Sequence, residues 1–421
     1  MVATTTLSLQ GTYQLVTLGA DTDARSAEYA GALERAVASA MHHLGVNPTR
    51  MLVRLGSRNE AELDRRWPSV TVFFGTTGTA LSPRDAALLD VVLADGTLVI
   101  PVVEDIGRFT KLVPTAISHL NGLARQDCGA NFERLAARIL EGFGLLRERR
   151  RLFISYRRVE TSGVAAQLYE ALDVAGFDVF LDTHGVLRPG EPFQEILWHR
   201  LADTDVILLL DTPGFLASRW TEEELARANT ANLQILQLLW PGQEEASAAA
   251  FSTFHPLSVS DFEDKATLGP AARLHDNSTQ EIVDAVEGLR ARAVAARHAF
   301  LVREFLIEAK GAGLLAYMTL DRSIVLRKHG DENGGKVFVL PAVGVPDAER
   351  YEALEQLMQR EAGAGRSYLR PPCLLYDESG IRGRWLDHLR WLNGNIASVR
   401  SVGLREAKQW LHLVAEGEGS K

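Results

Sequence analysis

Short apolar runs alternate with amphipathic stretches along most of the chain. In residues 1–150, Tyr13 to Leu18, Met51 to Leu55, Val70 to Phe74 and Thr97 to Val103 read as strands. Helical spacing fills Ser26 to Leu44 and about Asn131 to Arg147. Ser82-Pro83-Arg84-Asp85 supplies a helix start, with an N-cap serine, a proline at the first helical position and an acid at the third. Strands separated by helices predict crossover units and a mostly parallel sheet. The pattern repeats from Leu152: strands at Leu152 to Ser155, Phe177 to Leu181, Val206 to Leu210 and Ile235 to Leu239, with a helix over Gly163 to Ala175 stopped by Gly176.

Ser278-Thr279-Gln280-Glu281 reads as a capping box opening a helix that runs to about Lys310, where Gly311 to Gly313 breaks it. Beyond lie two strands, Ser323 to Arg327 and Lys336 to Leu340, flanking the hairpin-turn signal Asp331-Glu332-Asn333-Gly334-Gly335. Helices at Asp347 to Gln359, Arg384 to Leu392 and Leu404 to Val414 interleave with strands at Cys373 to Tyr376 and Ala397 to Val402. The expected organisation is therefore three α/β regions: 1–148, Rossmann-like; 149–310, an open parallel sheet with a long connector helix; and 311–421, mixed α/β. The first region is a candidate diverged copy of the second.

Composition narrows the class. The chain has 421 residues, 46% of them apolar and 24% charged, as in an ordinary globular protein of two or three domains. A net charge of −9 gives no chain-wide nucleic-acid footprint. Cys128 and Cys373 form no CxxC, so a reducing, cytoplasmic setting is expected, and no zinc cluster is visible. The N-terminus has no signal-peptide pattern, and no apolar run reaches the roughly 20 residues of a membrane helix.

Candidate chemistry concentrates between Leu152 and Leu236. Open α/β sheets bind ligands at the carboxyl ends of their strands. Those ends carry Ser155-Tyr156-Arg157-Arg158, then Asp182 with its long loop, then Asp211 to Arg219. Elsewhere the signals are weaker. Gly75-Thr76-Thr77-Gly78 has neither a P-loop lysine nor a dinucleotide fingerprint, so a plain turn is the simpler reading. The Arg147-to-Arg151 run reads as a solvated boundary, Asp377, Glu378, Asp387 and His388 as surface, and His184 has no ligand-spaced partner.

The motifs FISYRR, GFDVFLD, LRPGEPF, DVILLL and SRWTEEEL, in that order and at these spacings, resemble a bacterial-type Toll/interleukin receptor (TIR) domain over about residues 151–264. Two departures stand out: Asp211 where a serine commonly follows the third strand, and Thr221 where cysteine is frequent. Some TIR domains are scaffolds for signalling complexes; others, including bacterial anti-phage effectors, cleave NAD+ at the nicotinamide–ribose bond. The enzymatic members carry a glutamate four residues after a tryptophan, a spacing matched by Trp220 and Glu224. The resemblance thus implies Glu224 as the catalytic carboxylate and Tyr156, Arg157, Arg158, Phe180, Asp182 and Trp220 as substrate contacts. It implies a protomer-contact loop including Leu187, Pro189, Gly190 and Phe193. NAD+ would be the substrate, with no further cofactor or metal, and the TIR domains would self-associate, the flanking regions meeting a trigger or partner protein. Neither membrane nor nucleic acid is indicated.

Blander readings accompany these. Thr221-Glu222-Glu223-Glu224 also fits a capping box, with Glu224 bonding back to the Thr221 N–H. Trp220 is equally a core residue, and Arg157 and Arg158 equally pair with Asp182 or solvent. At the level of the whole chain, the expectation is an NAD+ glycohydrolase effector. The rivals are a non-catalytic TIR scaffold and a nucleotide-signal binder whose TIR-like unit is vestigial.

Overall fold

The computed structural model describes residues 13–20, 22–44, 46, 63, 67–77, 81–147, 149–181, 193–214, 233–244, 252–319, 322–328, 330, 335–363 and 365–417. They form two compact units: residues 1–148 with 319–322, and residues 149–318 with 323–421.

In the first unit, strands β1 (Gln14–Leu18), β2 (Ser69–Gly75), β3 (Leu98–Val103) and β4 (Leu123–Ala124) form a parallel sheet in the order β1-β2-β3-β4. Every residue of β1 is buried, as a parallel strand covered on both faces requires. Helix α1 (Ala24–His43) buries Ala30, Leu33, Val37 and Met41 along one stripe. It starts two residues earlier than its apolar spacing indicates because Asp23 caps it, accepting from Ser26 N at 2.7 Å. Helix α2 (Pro83–Ala94) begins at the Ser82-Pro83 signal, with Asp85 N donating to Ser82 Oγ. Asp85 does not close a capping box: its carboxylate is buried and accepts from Gly19 N at 3.0 Å, tying α2 to the end of β1. After a short turn of helix, α3 (Phe109–Leu112), helix α4 (Glu133–Gly142) is shorter than expected. Gly144, at φ +73°, lets Leu145 N turn back to Leu140 O, a left-handed stop. The expected strand Met51 to Leu55 lies outside the described residues.

The second unit contains two sheets. The first is parallel: β5 (Arg150–Ser155), β6 (Phe177–Leu181), β7 (Val206–Asp211), β8 (Gln234–Leu239) and β9 (Thr253–Pro256), in the order β6-β5-β7-β8-β9. Without β6, this is the strand order of the first unit. Alternate residues divide between two cores. Leu152, Ile154, Leu208, Leu210, Leu236 and Leu238 pack with helices α5 (Arg158–Val174) and α7 (Asp276–Gly311). Phe153, Ile207, Leu209 and Ile235 pack on the other face with Trp198 and Leu201 of α6 (Phe193–Ala202). Gly163 on α5 serves a close approach, since a Cβ there would lie 2.5 Å from Pro270 O and 2.6 Å from Ala272 O.

Helix α7 starts at Asp276, two residues before the predicted capping box. The box residues serve the tertiary structure instead: Ser278 Oγ donates to Asp261 Oδ1, and Thr279 Oγ1 accepts from Gln167 Nε2. The helix then runs 36 residues, ending at Gly311 with Gly313 at φ +74°. Its first half covers the TIR-like sheet and its second half, through Leu301, Val302, Phe305 and Ala309, covers a second, mixed sheet.

That sheet contains β10 (Leu314–Met318), β11 (Ile324–Lys328), β12 (Val337–Ala342), β13 (Leu369–Tyr376) and β14 (Arg400–Gly403), in sequence order. The first three are antiparallel, and β12, β13 and β14 are parallel. Helices α8 (Ala348–Gly363) and α9 (Gly383–Asn395) cover one face, and α10 (Leu404–Glu416) joins α7 on the other.

The two sheets are joined around the end of α6. Arg297 of α7 donates to Thr204 O and Ala202 O, satisfying carbonyls at the helix terminus. Asp203 accepts from Val345 N at 3.1 Å and pairs with Arg151. His199 packs at a tilt against Trp385, with ring centroids 5.5 Å apart, and its Nδ1 faces Arg382 N at 3.5 Å. Beneath this, Arg290, fully buried, reaches Asp205 and Glu287, and Glu287 also accepts from Arg150 at 2.8 Å.

Candidate functional site

In the order β6-β5-β7-β8-β9, the direction in which strands are added reverses between β5 and β7. The crevice beyond the carboxyl ends of such a pair is where open α/β sheets take ligands. Here the β5 end supplies Ser155, Tyr156 and Arg157, and the β7 end supplies Asp211, Thr212, Pro213 and Gly214. Ser155 is fully buried.

The structure sorts the expected contact residues. Tyr156 is 6% exposed and belongs to the core between the sheet, α5 and α7. Arg157 precedes α5 and pairs with Glu160 in its first turn, while Arg158 is exposed. Phe180 is half-buried on the α6 face, stacked 5.6 Å from Phe153, with the Arg200 guanidinium 5.1 Å above its ring. Phe193 opens α6. Asp182, Leu187, Pro189, Gly190, Trp220, Thr221 and Glu224 lie outside the described residues.

Gly214 connects the two strand ends. A Cβ at this position would lie 2.7 Å from Glu160 Oε1 and 2.8 Å from Arg157 Cζ, so a larger residue would push aside the movable ends of that ion pair. Deeper in, Asp211 closes β7 and is 2% exposed. Its carboxylate accepts from Gln237 Nε2 on β8 at 2.6 Å. Burial raises the Asp211 pKa, and the Gln237 hydrogen bond partly opposes that rise. Asp211 and Gln237 continue, as polar members, the face that Ile207, Leu209 and Ile235 fill with hydrocarbon.

Three of these residues, Glu160, Thr212 and Gln237, are not singled out by motif reasoning, and one signal was available for Gln237. Buried parallel strands read as unbroken apolar runs, and Gln237 interrupts Ile235-Leu236-Gln237-Leu238-Leu239. Glu160 and Thr212 carry no such mark.

Residues 152–269 match the family model described as TIR domain. This segment is a TIR domain. The match covers a minority of the chain. No curated protein matches the chain significantly. Among solved structures, a protein assigned as a phosphosugar isomerase from Silicibacter pomeroyi DSS-3 is similar over 70% of this chain and 86% of that one, at 9% identity and a TM-score of 0.21. A likeness at that level carries no argument.

Among the described residues, no His/Cys/Asp/Glu group is arranged to hold a metal, and no helix is long and apolar enough to cross a membrane. Cys128 and Cys373 are buried free thiols.

Proposed function

We propose that the TIR domain hydrolyses NAD+ at the nicotinamide–ribose bond when the protein assembles, as a defence or signalling effector of the cytoplasm. The observation that carries this reading is the Trp220-x-x-x-Glu224 spacing, in the segment that follows β7 at the switch point of the TIR sheet.

The chemistry asks for little apparatus. The C1′–N bond breaks with its electron pair moving to the pyridinium nitrogen, so nicotinamide leaves as a neutral molecule and needs no acid. Positive charge develops on the ribose, where a carboxylate such as Glu224 stabilises it and holds the ribose hydroxyls. Water then adds to C1′ and releases a proton, giving ADP-ribose. The step as drawn uses no metal or second cofactor. Arg157, placed at the β5 end, offers a cation for the pyrophosphate.

The flanking regions then serve control. The N-terminal unit, whose strand order matches the TIR sheet apart from β6 and which has no Trp-x-x-x-Glu after β2, is on this reading a diverged copy that has no equivalent carboxylate. The C-terminal region grips α6, the helix immediately after residues 182–192, which suits a region that governs protomer contact.

The test is nicotinamide release by wild type, Glu224→Gln and Glu224→Ala, each with and without forced clustering. Wild type should turn over NAD+ when clustered, and both variants should fall by at least about a hundredfold while remaining folded. Undiminished release in the variants removes Glu224 from the site. A clustered wild type that never consumes NAD+, but loses partner binding when Pro189 or Gly190 is changed, is a scaffold.

A further inference from the structure

The cation at the end of β5 is already supplied with an anion by the protein itself. Arg157, its side chain 39% exposed, pairs through Nη1 with Glu160 Oε1 in the first turn of α5. The pair lies over Gly214, three residues beyond β7, where an added Cβ would meet Glu160 Oε1 and Arg157 Cζ. The β5 corner, the start of α5 and the residues after β7 therefore meet at one point. That point bridges the two strands between which the sheet changes direction, at the ends where a ligand is taken.

The carboxylate in this pair is only half used. Glu160 Oε1 holds the guanidinium, while Oε2 is buried with no hydrogen-bond partner among the described residues. Buried oxygens are normally satisfied, so turning out to water would relieve this one. The backbone need not move for that, because Glu160 is tied through its main chain, its carbonyl accepting from Gly269 N at 2.6 Å. Arg157 has its own reason to exchange partners. A guanidinium fork fits the two oxygens of a phosphate, and Glu160 engages it through Nη1 with one oxygen.

We propose that Glu160 is a resident competitor for Arg157: it occupies the guanidinium in the unliganded protein, and a ligand carrying a pyrophosphate binds by displacing it. The inference rests on the NAD+ reading above and names a residue that sets affinity at that site. The pyrophosphate presents its oxyanions to Arg157, and the Glu160 carboxylate turns outward to water. No bond is made or broken in this exchange. Glu160 takes no part in the cleavage step, so it governs how tightly the substrate is held and not how fast it is cut. A nucleoside without the pyrophosphate leaves the pair closed and is indifferent to Glu160.

The experiment measures binding of ADP-ribose and of nicotinamide riboside to the full chain, with KM and kcat of the clustered protein alongside. The variants are Glu160→Gln, which keeps the shape and removes the charge, Glu160→Ala, Arg157→Gln, and Arg157→Gln combined with Glu160→Gln. A melting curve reports folding in each. Both single Glu160 variants should bind ADP-ribose about fivefold more tightly, the upper worth of a part-exposed ion pair. Their KM should fall by a similar factor at unchanged kcat, and nicotinamide riboside should bind them as it binds wild type. Arg157→Gln should weaken ADP-ribose by at least about tenfold, and adding Glu160→Gln to it should bring no gain, because no cation is left to withhold. A gain that persists without Arg157 overturns the proposal by making Glu160 a general repulsive charge. Equal binding of ADP-ribose by wild type and both Glu160 variants overturns it as well, and leaves the NAD+ reading standing. A wild type that binds neither probe and releases no nicotinamide when clustered removes the NAD+ reading, and the competition with it.

Discussion

At the scale of single residues, the second unit depends on charges taken out of water. Arg290 is fully buried against Asp205 and Glu287, which are 0% and 2% exposed. Removing one member of such a group leaves the others uncompensated, which typically costs about 3–5 kcal/mol. Glu287 keeps Arg150 as a partner, so Arg290→Met should fall at the lower end, about 3 kcal/mol by urea unfolding. A loss below about 1 kcal/mol would show that the group is not coupled to folding. His199 gives a pH dependence. Burial first, then the nearby cations Arg200, Arg382 and Arg151, bring its pKa down from 6.5 to about 4. Between those values the unfolded chain binds the proton and the folded chain does not, so this residue's contribution is complete above about pH 6.5 and is lost as the pH falls toward 4. His199→Asn should flatten the stability–pH curve in that window. An unchanged slope would place the acid sensitivity elsewhere.

At the scale of elements, the sequence was most informative where local chemistry and tertiary packing agree. Ser82-Pro83 marks the start of α2, and the glycines after Lys310 mark the end of α7, because a cap or a left-handed residue fixes a terminus regardless of its surroundings. Ser278-Thr279-Gln280-Glu281 misplaces the start of α7 by two residues because its hydroxyls bond to Asp261 and Gln167, partners distant in sequence. Asp85 is a similar case: a local acid at the third helical position is taken by Gly19 N, 66 residues away. The TIR sheet itself was legible from five motifs in register. The buried Asp211–Gln237 pair was not, since it exists only when β7 and β8 lie side by side. Tyr156 shows the opposite limit. The sequence offers this aromatic beside a strand end as a ring for the substrate, and the fold places it in the core.

At the scale of the whole molecule, α7 is the member shared by both sheets of the second unit. Its 36 residues span about 54 Å at 1.5 Å each. Ala295, 6% exposed, lies between Leu289 on the TIR side and Leu301 on the other. Calorimetry of the intact chain should show one transition for each compact unit. Ala295→Pro, which removes a helical hydrogen bond at about 3 kcal/mol or more, should split the second of these into two. A second transition that stays single would mean that the contacts around His199 and Asp203 hold the sheets together without the helix.

Those contacts have a thermodynamic consequence. The end of α6 is fixed by groups from both sheets, and its start follows the loop that the TIR resemblance assigns to protomer contact. If a molecule bound to the C-terminal sheet shifts α6 and thereby favours assembly, assembly must favour that molecule's binding by the same factor. Titrating a trigger against dilute and clustered protein would then give two affinities. Their ratio measures, in free energy, how much of the control of assembly passes through one helix.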